Sequence, residues 1–77
     1  MMDESISRID RHRDGSVSAK GEMLNDKLHG YWEWYRTDGT LKRSGHFHRG
    51  EQVGEWITHD QQGSPFKISQ MKPTTNA

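Results

Sequence analysis

Hydrophobic and aromatic residues in this chain fall in short alternating runs, and no segment shows the three-to-four-residue spacing of an amphipathic helix. Six runs, at about residues 6–12, 17–24, 30–36, 41–48, 54–60 and 65–71, are rich in aromatic and β-branched residues and predict β-strands. Asp14-Gly15, Asp38-Gly39 and Gln62-Gly63 interrupt them in pairs, which predicts hairpins closed by two-residue turns whose glycines take positive φ. Between the hairpins, the polar stretches 25–30 and 49–54 reverse the chain again. The expected fold is all-β, a single antiparallel meander sheet of about six strands.

Sliding the sequence against itself by 24 residues aligns Gly15 with Gly39 and Gly63, Gly21 with Gly45, Gly30 with Gly54 and Trp32 with Trp56. The same shift sets Met23 on Phe47 and Met71. Glycines meet glycines and large apolar residues meet large apolar residues, as expected of a 24-residue β-hairpin repeat present in about two and a half copies. One domain is therefore expected at residues 6–71, with polar tails at 1–5 and 72–77.

Placing each Asp-Gly or Gln-Gly pair at a two-residue turn sets the register. Trp32 then faces Gly45, Trp34 faces Arg43 and Gly30 faces Phe47. The connections further predict Met23 opposite Trp32, Gly21 opposite Trp34, Phe47 opposite Trp56, Gly45 opposite Thr58 and Arg43 opposite Asp60. Rings lying over strand glycines fill the space that a missing side chain leaves. One face collects Met23, Trp32, Trp34, Phe47 and Trp56, and the other mixes apolar residues with Tyr31, Glu33, Tyr35, His46, His48 and Glu55. An aromatic face on a single sheet is expected to need a cover from curling, a tail or a partner.

Composition narrows the function classes. With 77 residues, 29% of them hydrophobic, and a mean hydropathy of −1.15, the chain supports one small domain with a thin core, which argues against a two-layer enzyme. Leu, Ile, Val and Phe make up 11 of the 77 residues, a level associated with disorder, so the repeat is what argues for order. Basic and acidic residues number 11 each, and no global field draws the chain to DNA or acidic lipid. The absence of cysteine removes disulfides, thiolate metal sites and cysteine nucleophiles. An acidic start and the lack of any long apolar run predict no signal peptide, no transmembrane segment and a cytoplasmic location.

The run Gly30-Tyr31-Trp32-Glu33-Trp34-Tyr35, followed by Asp38-Gly39, Gly45-His46-Phe47, Gly50 and Gly54-Glu55-Trp56, resembles the MORN-repeat variant. That pattern reads G-x-W-x-x-Y, an Asn-Gly or Asp-Gly turn, then G-x-[YF]-x-x-G-x-x-x-G-x-W. With flanking partial units the likeness covers about residues 13–67. Asp26 in place of Gly50, His59 in place of Tyr35 and Ser69 in place of Gly45 depart from the central unit. The resemblance implies an elongated stack of hairpins without a catalytic motif. Bacterial proteins of this repeat variant are often described as antitoxin components of toxin–antitoxin pairs, and related repeats serve protein docking or membrane attachment.

Among chemical groups, His46 and His48 share a face, with His59 expected diagonal to His46 and Glu55 opposite His48. No tight ligand motif accompanies them, so neither metal nor cofactor is assigned. The serines lack an elbow motif, and a single sheet gives no pocket to tune Glu33 or Glu55, which argues against an enzyme. Arg8, Arg11, Arg13, Arg36, Lys42, Arg43 and Arg49 interleave with aromatics as on single-strand nucleic-acid platforms, yet nearby carboxylates compensate them. Arg43 reads as an intrasheet residue, stacked on Trp34 and ion-paired with Asp60. Met23, Trp32, Arg43, Gly45, Phe47, Trp56 and Asp60 are thus expected to be structural. Tyr31, Glu33, Trp34, Tyr35, Arg36, His46, His48 and Glu55 are the candidate protein-binding residues, since aromatics and Arg are enriched at interfaces.

The expected function is a non-enzymatic protein-binding module that masks one macromolecular target, a toxin or a defence enzyme, as an antitoxin would. An inhibitor of a host defence complex encoded by a phage or mobile element, of anti-CRISPR type, is the first alternative. Attachment to nucleic acid or lipid headgroups through the Arg-bearing strands is the second. Self-association through edge strands or the sheet face adds a homodimer.

Overall fold

The computed structural model describes residues 4–72, so most of the two polar tails lies outside the described residues. Six strands follow one another: β1 (Ile6–Arg11), β2 (Val17–Leu24), β3 (Lys27–Tyr35), β4 (Leu41–His48), β5 (Glu51–His59) and β6 (Pro65–Met71). Each pairs antiparallel with the next, giving one open meander sheet in the order β1 to β6. With extents of 40 × 27 × 14 Å, the sheet is a single layer. Among the described residues no helix is long and apolar enough to cross a membrane.

The two kinds of turn exchange roles relative to the sequence expectation. Gly15, Gly39 and Gly63 take φ of 95°, 91° and 86°, but the residues before them do not take positive φ. The Gly15, Gly39 and Gly63 N–H groups donate to the carbonyls of His12, Arg36 and Asp60, whose own N–H groups donate to Ser16, Thr40 and Ser64. These are three-residue loops, each a type I turn followed by a left-handed glycine. Aspartate suits the position because its carboxylate caps the loop: Asp14 accepts the Ser16 N–H at 2.9 Å and its hydroxyl at 2.6 Å, and Asp38 accepts the same groups of Thr40 at 2.9 and 2.7 Å. The hydroxyl bonds first, then the backbone bonds, hold both carboxyls below their ordinary 3.8.

Primed two-residue turns occur instead between the hairpins. Asn25 and Asp26 (φ 51° and 66°) and Arg49 and Gly50 (φ 49° and 92°) all take positive φ. These shorter connections start β3 at Lys27 and β5 at Glu51, three residues earlier than expected in each case. At their other ends β1, β3 and β5 stop one residue early, because His12, Arg36 and Asp60 belong to the loops.

Register between β3 and β4 is as expected, with Gly30 facing Phe47, Trp32 facing Gly45 and Trp34 facing Arg43. Across the two neighbouring pairs it is not. Met23 faces Leu28 and Ala19 faces Trp34, while Phe47 faces Gln52 and Arg43 faces Thr58. The expected pairs of Met23 with Trp32, Gly21 with Trp34, Phe47 with Trp56, Gly45 with Thr58 and Arg43 with Asp60 therefore do not form. The cause is a large bulge in each pair: Gly30-Tyr31-Trp32 stands opposite the single Gly21, and Gly54-Glu55-Trp56 opposite Gly45.

Gly30 and Gly54 open these bulges at φ 75° and 71°, and the tryptophan two residues on swings over the preceding strand. A β-carbon at Gly21 would lie inside the Trp32 indole, and one at Gly45 inside that of Trp56. Trp32 Nε1 donates to the Glu22 carbonyl at 3.0 Å and to that of His29 at 3.2 Å, and Trp56 Nε1 donates to the His46 carbonyl at 3.2 Å. Trp32 is consequently 1% exposed and Trp56 3%, although the sheet has no second layer.

Trp32, Trp34 and Trp56 stack in sequence with centroids 5.9 and 5.5 Å apart, and Phe47 meets all three edge-on. Each ring covers its neighbour, so the face expected to need a partner largely closes on itself. Ala19 and Leu24 complete the buried apolar set, and Met23 is half-buried on β2. The exposed large apolar residues lie elsewhere: Ile6 and Ile9 on β1, Tyr31 on β3, and Phe66 and Ile68 on β6.

Candidate functional site

Cross-strand pairing defines two rows, one on each face. Asp10, Ala19, Trp34, Arg43, Thr58 and Lys67 are successive partners across the six strands, and so are Ile9, Lys20, Glu33, Ser44, Ile57 and Ile68. Because the rows are displaced by one residue, they project to opposite sides of the sheet.

On the first face the Arg43 guanidinium lies 4.5 Å from the Trp56 ring centroid and 5.8 Å from that of Trp34. The expected ion pair with Asp60 is absent, because Arg43 faces Thr58 and the Asp60 carboxylate accepts the Gln62 and Ser64 N–H groups at 2.9 and 3.0 Å. Trp34 is half-buried, and among the described residues its indole N–H donates to no group, unlike those of Trp32 and Trp56.

On the opposite face Glu33 is a hub. It accepts the Tyr35 hydroxyl at 2.5 Å and the Tyr31 hydroxyl at 2.9 Å, with Lys20 Nζ at 3.7 Å and also 5.7 Å from the Tyr35 ring centroid. Burial alone would raise the Glu33 carboxyl, but the hydrogen bonds from Tyr35 and Tyr31 and the Lys20 charge outweigh it and hold the group below its ordinary 4.5. Burial and then the Glu33 carboxylate push Tyr35 up to about 12, and the same two causes raise Tyr31 above 10.0.

The signs set two pH windows. The Tyr35 contribution to stability is complete below 10 and lost as pH rises from there to about 12, whereas that of Glu33 is complete above 4.5 and lost as pH falls through its lowered value. These are the chain's two tyrosines, so ultraviolet titration reports them alone. Neither is expected to deprotonate with the ordinary midpoint of 10.0, and Glu33→Gln is expected to bring Tyr35 back toward it. Ordinary midpoints in the folded wild-type protein would remove the hub.

The histidines are engaged separately. His46 lies 5.2 Å from the Tyr31 ring and His48 5.4 Å from that of His29. His48 faces Glu51 rather than the expected Glu55, which instead meets Gln70. His59 is buried, its Nδ1 3.1 Å from the Gly63 carbonyl and its Nε2 without a partner among the described residues. Among the described residues no group of three or more histidine and carboxylate side chains is placed to hold a metal ion.

No family model, curated protein or solved structure matches this chain.

Two features escaped the reading of residue types. The Arg36 guanidinium donates to the carbonyls of His59 at 2.7 Å, Asp60 at 2.9 Å and Leu41 at 3.2 Å, tying the second hairpin loop to the third rather than facing outward. His12 Nε2 occupies the corresponding place at 2.9 Å from the Tyr35 carbonyl. The 24-residue alignment puts His12, Arg36 and Asp60 in one column, the signal that could have found this. The second is a hollow of about 400 Å³ across β1, β2 and β3, lined by Ser7, Ile9, Lys20, Glu22, Tyr31 and Glu33 among others. In the same alignment Ser7 stands where the next unit has Tyr31, and Glu22 where it has His46.

Proposed function

We propose that this protein is a non-enzymatic binding module that masks one macromolecular target in the cytoplasm, in the manner of an antitoxin or of an inhibitor of a defence enzyme. Contact is made by the face bearing Trp34 and Arg43. The observation that supports this reading is the contrast among the tryptophans: two are buried with their N–H groups bonded to backbone, while Trp34 is half-buried and its N–H donates to no group among the described residues. Trp and Arg dominate binding energy at interfaces. A guanidinium already stacked on two indoles has less side-chain freedom to lose on binding.

Both target classes require only a rigid face, and the resemblance of the central unit to the MORN-repeat variant favours the antitoxin. The test is capture of partners from host cells with tagged wild-type protein and with Arg43→Glu. One stoichiometric protein whose activity falls on binding is expected, with affinity for Arg43→Glu lower by about 30-fold or more, corresponding to ~2 kcal/mol. Because Arg43→Glu also loses the stacking on Trp34 and Trp56, its affinity is compared at a temperature where circular dichroism shows the variant folded. Nucleic-acid binding with a steep salt slope, or vesicle binding, in the absence of a protein partner would sink this reading.

A further inference from the structure

The row on the face away from the tryptophans, Ile9, Lys20, Glu33, Ser44, Ile57 and Ile68, is apolar at its ends and polar at its centre. We propose that a second copy of the chain covers this face, the two sheets packing face to face about a two-fold axis that runs along the strands between β3 and β4. Such an axis reverses the row. Ile9 then meets the second copy's Ile68, the methylene stem of Lys20 lies on its Ile57, and Glu33 lies toward its Ser44.

Four observations converge on this occupant. Ile9 is 54% exposed and Ile68 58%, at the two ends of the row. β1 and β6 are the opposite edges of one open sheet and do not pair with each other, whereas the two-fold axis lays each β6 over the other copy's β1. A face of 40 × 27 Å presents about 1,000 Å², enough for the ~800 Å² per partner of a stable interface. The formal net charge of zero sets up no overall repulsion between copies, and the two charged residues of the row, Lys20 and Glu33, pair with each other within the chain.

The hollow beside Ile9 completes the fit. One unit further along, the equivalent position is filled from within the chain by Tyr31, its ring against His46 and its hydroxyl on Glu33. In the first unit Ser7 leaves the place open at the rim where the second copy's Ile68 arrives. Pairing of this kind leaves Trp34 and Arg43 facing outward on both sides of the dimer, so it is independent of the target-binding reading.

Sedimentation equilibrium of the full chain is expected to show a dimer of twice 9.0 kDa. Ile68→Glu should weaken the dimer at least 100-fold with the β-sheet circular dichroism unchanged. Ser7→Tyr, which fills the hollow from within, should weaken it at least tenfold while raising the unfolding midpoint. The chain has no cysteine, so a Lys20→Cys/Ile57→Cys variant reports geometry cleanly. Both positions lie inside the sheet, on β2 and β5, and facing sheets stand about 10 Å apart, so a short bismaleimide rather than a disulfide links a dimer packed face to face but not one packed edge to edge. A monomer at millimolar concentration, a dimer indifferent to Ile68→Glu, or failure of the double variant to cross-link would each overturn the proposal.

Discussion

Gly45→Ala is expected to leave the protein largely unfolded at room temperature. The added β-carbon would lie inside the Trp56 indole, and that ring has nowhere to go. Its N–H is bonded to the His46 carbonyl at 3.2 Å, one face is stacked on Trp34 at 5.5 Å, and Phe47 abuts it edge-on at 5.1 Å. Overpacking a seat without slack costs about 3 kcal/mol or more, and a single core in a domain this small supplies only ~3–5 kcal/mol. Gly21→Ala, against Trp32, should act in the same direction. Gly39→Ala separates close approach from backbone strain, because its β-carbon meets nothing within 4 Å while φ is 91°. The strain there costs about 1–2 kcal/mol, and that variant should stay folded. Urea unfolding followed by indole near-ultraviolet circular dichroism is the measurement, and a wild-type midpoint for Gly45→Ala would show that the ring does not depend on the glycine seat.

The second large effect is expected at Arg36, where Lys should be nearly as damaging as Ala. The guanidinium reaches the carbonyls of His59, Asp60 and Leu41 together, at 2.7, 2.9 and 3.2 Å, joining two hairpins, and the Asp60 carbonyl also accepts the Gly63 N–H. Bonds from a charged donor contribute about 1.5–3 kcal/mol each when buried, and partial exposure reduces the set to ~2–3 kcal/mol in all. A lysine ammonium is a point donor and does not reproduce the planar fork. Lower urea midpoints for both variants are expected, together with faster amide exchange of Gly63, whose N–H closes the third loop on Asp60. If Arg36→Lys keeps the wild-type midpoint and exchange rate, the staple is electrostatic rather than geometric and this account of it is wrong.

Arg36 also shows why reading a sequence for chemistry misplaces residues. As an arginine beside aromatics it is a natural interface candidate, yet it is engaged within the fold. Its partners are backbone carbonyls, which every residue possesses, so nothing in the residue types of positions 41, 59 and 60 marks them as acceptors. The expected ion pair of Arg43 with Asp60 failed for a related reason. It required a register that the bulge at Gly54-Glu55-Trp56 displaces, and the Asp60 carboxylate is held instead by its own loop. Glu33, Tyr31 and Tyr35 were legible as one cluster, because alternation along β3 places them on one side whatever the neighbouring register.

The sequence by itself determined the six strands, their antiparallel order, the β3–β4 register and the need for glycine beneath large rings. These follow from alternation and from the spacing of glycines and aromatics, which are local requirements written in residue types. Tertiary structure alone decided which turn takes which form, where the ladders bulge, and therefore which side chains meet across β2–β3 and β4–β5. It also decided which face stays open. Stacked in place, the tryptophans cover one another, and exposed apolar surface remains on the opposite face at Ile9 and Ile68 and at the rim of the tryptophan face at Ile6. Mutual burial depends on how rings from different strands are aimed, and a bulge that turns one tryptophan over a neighbouring strand's glycine changes that aim without changing any residue's hydrophobicity.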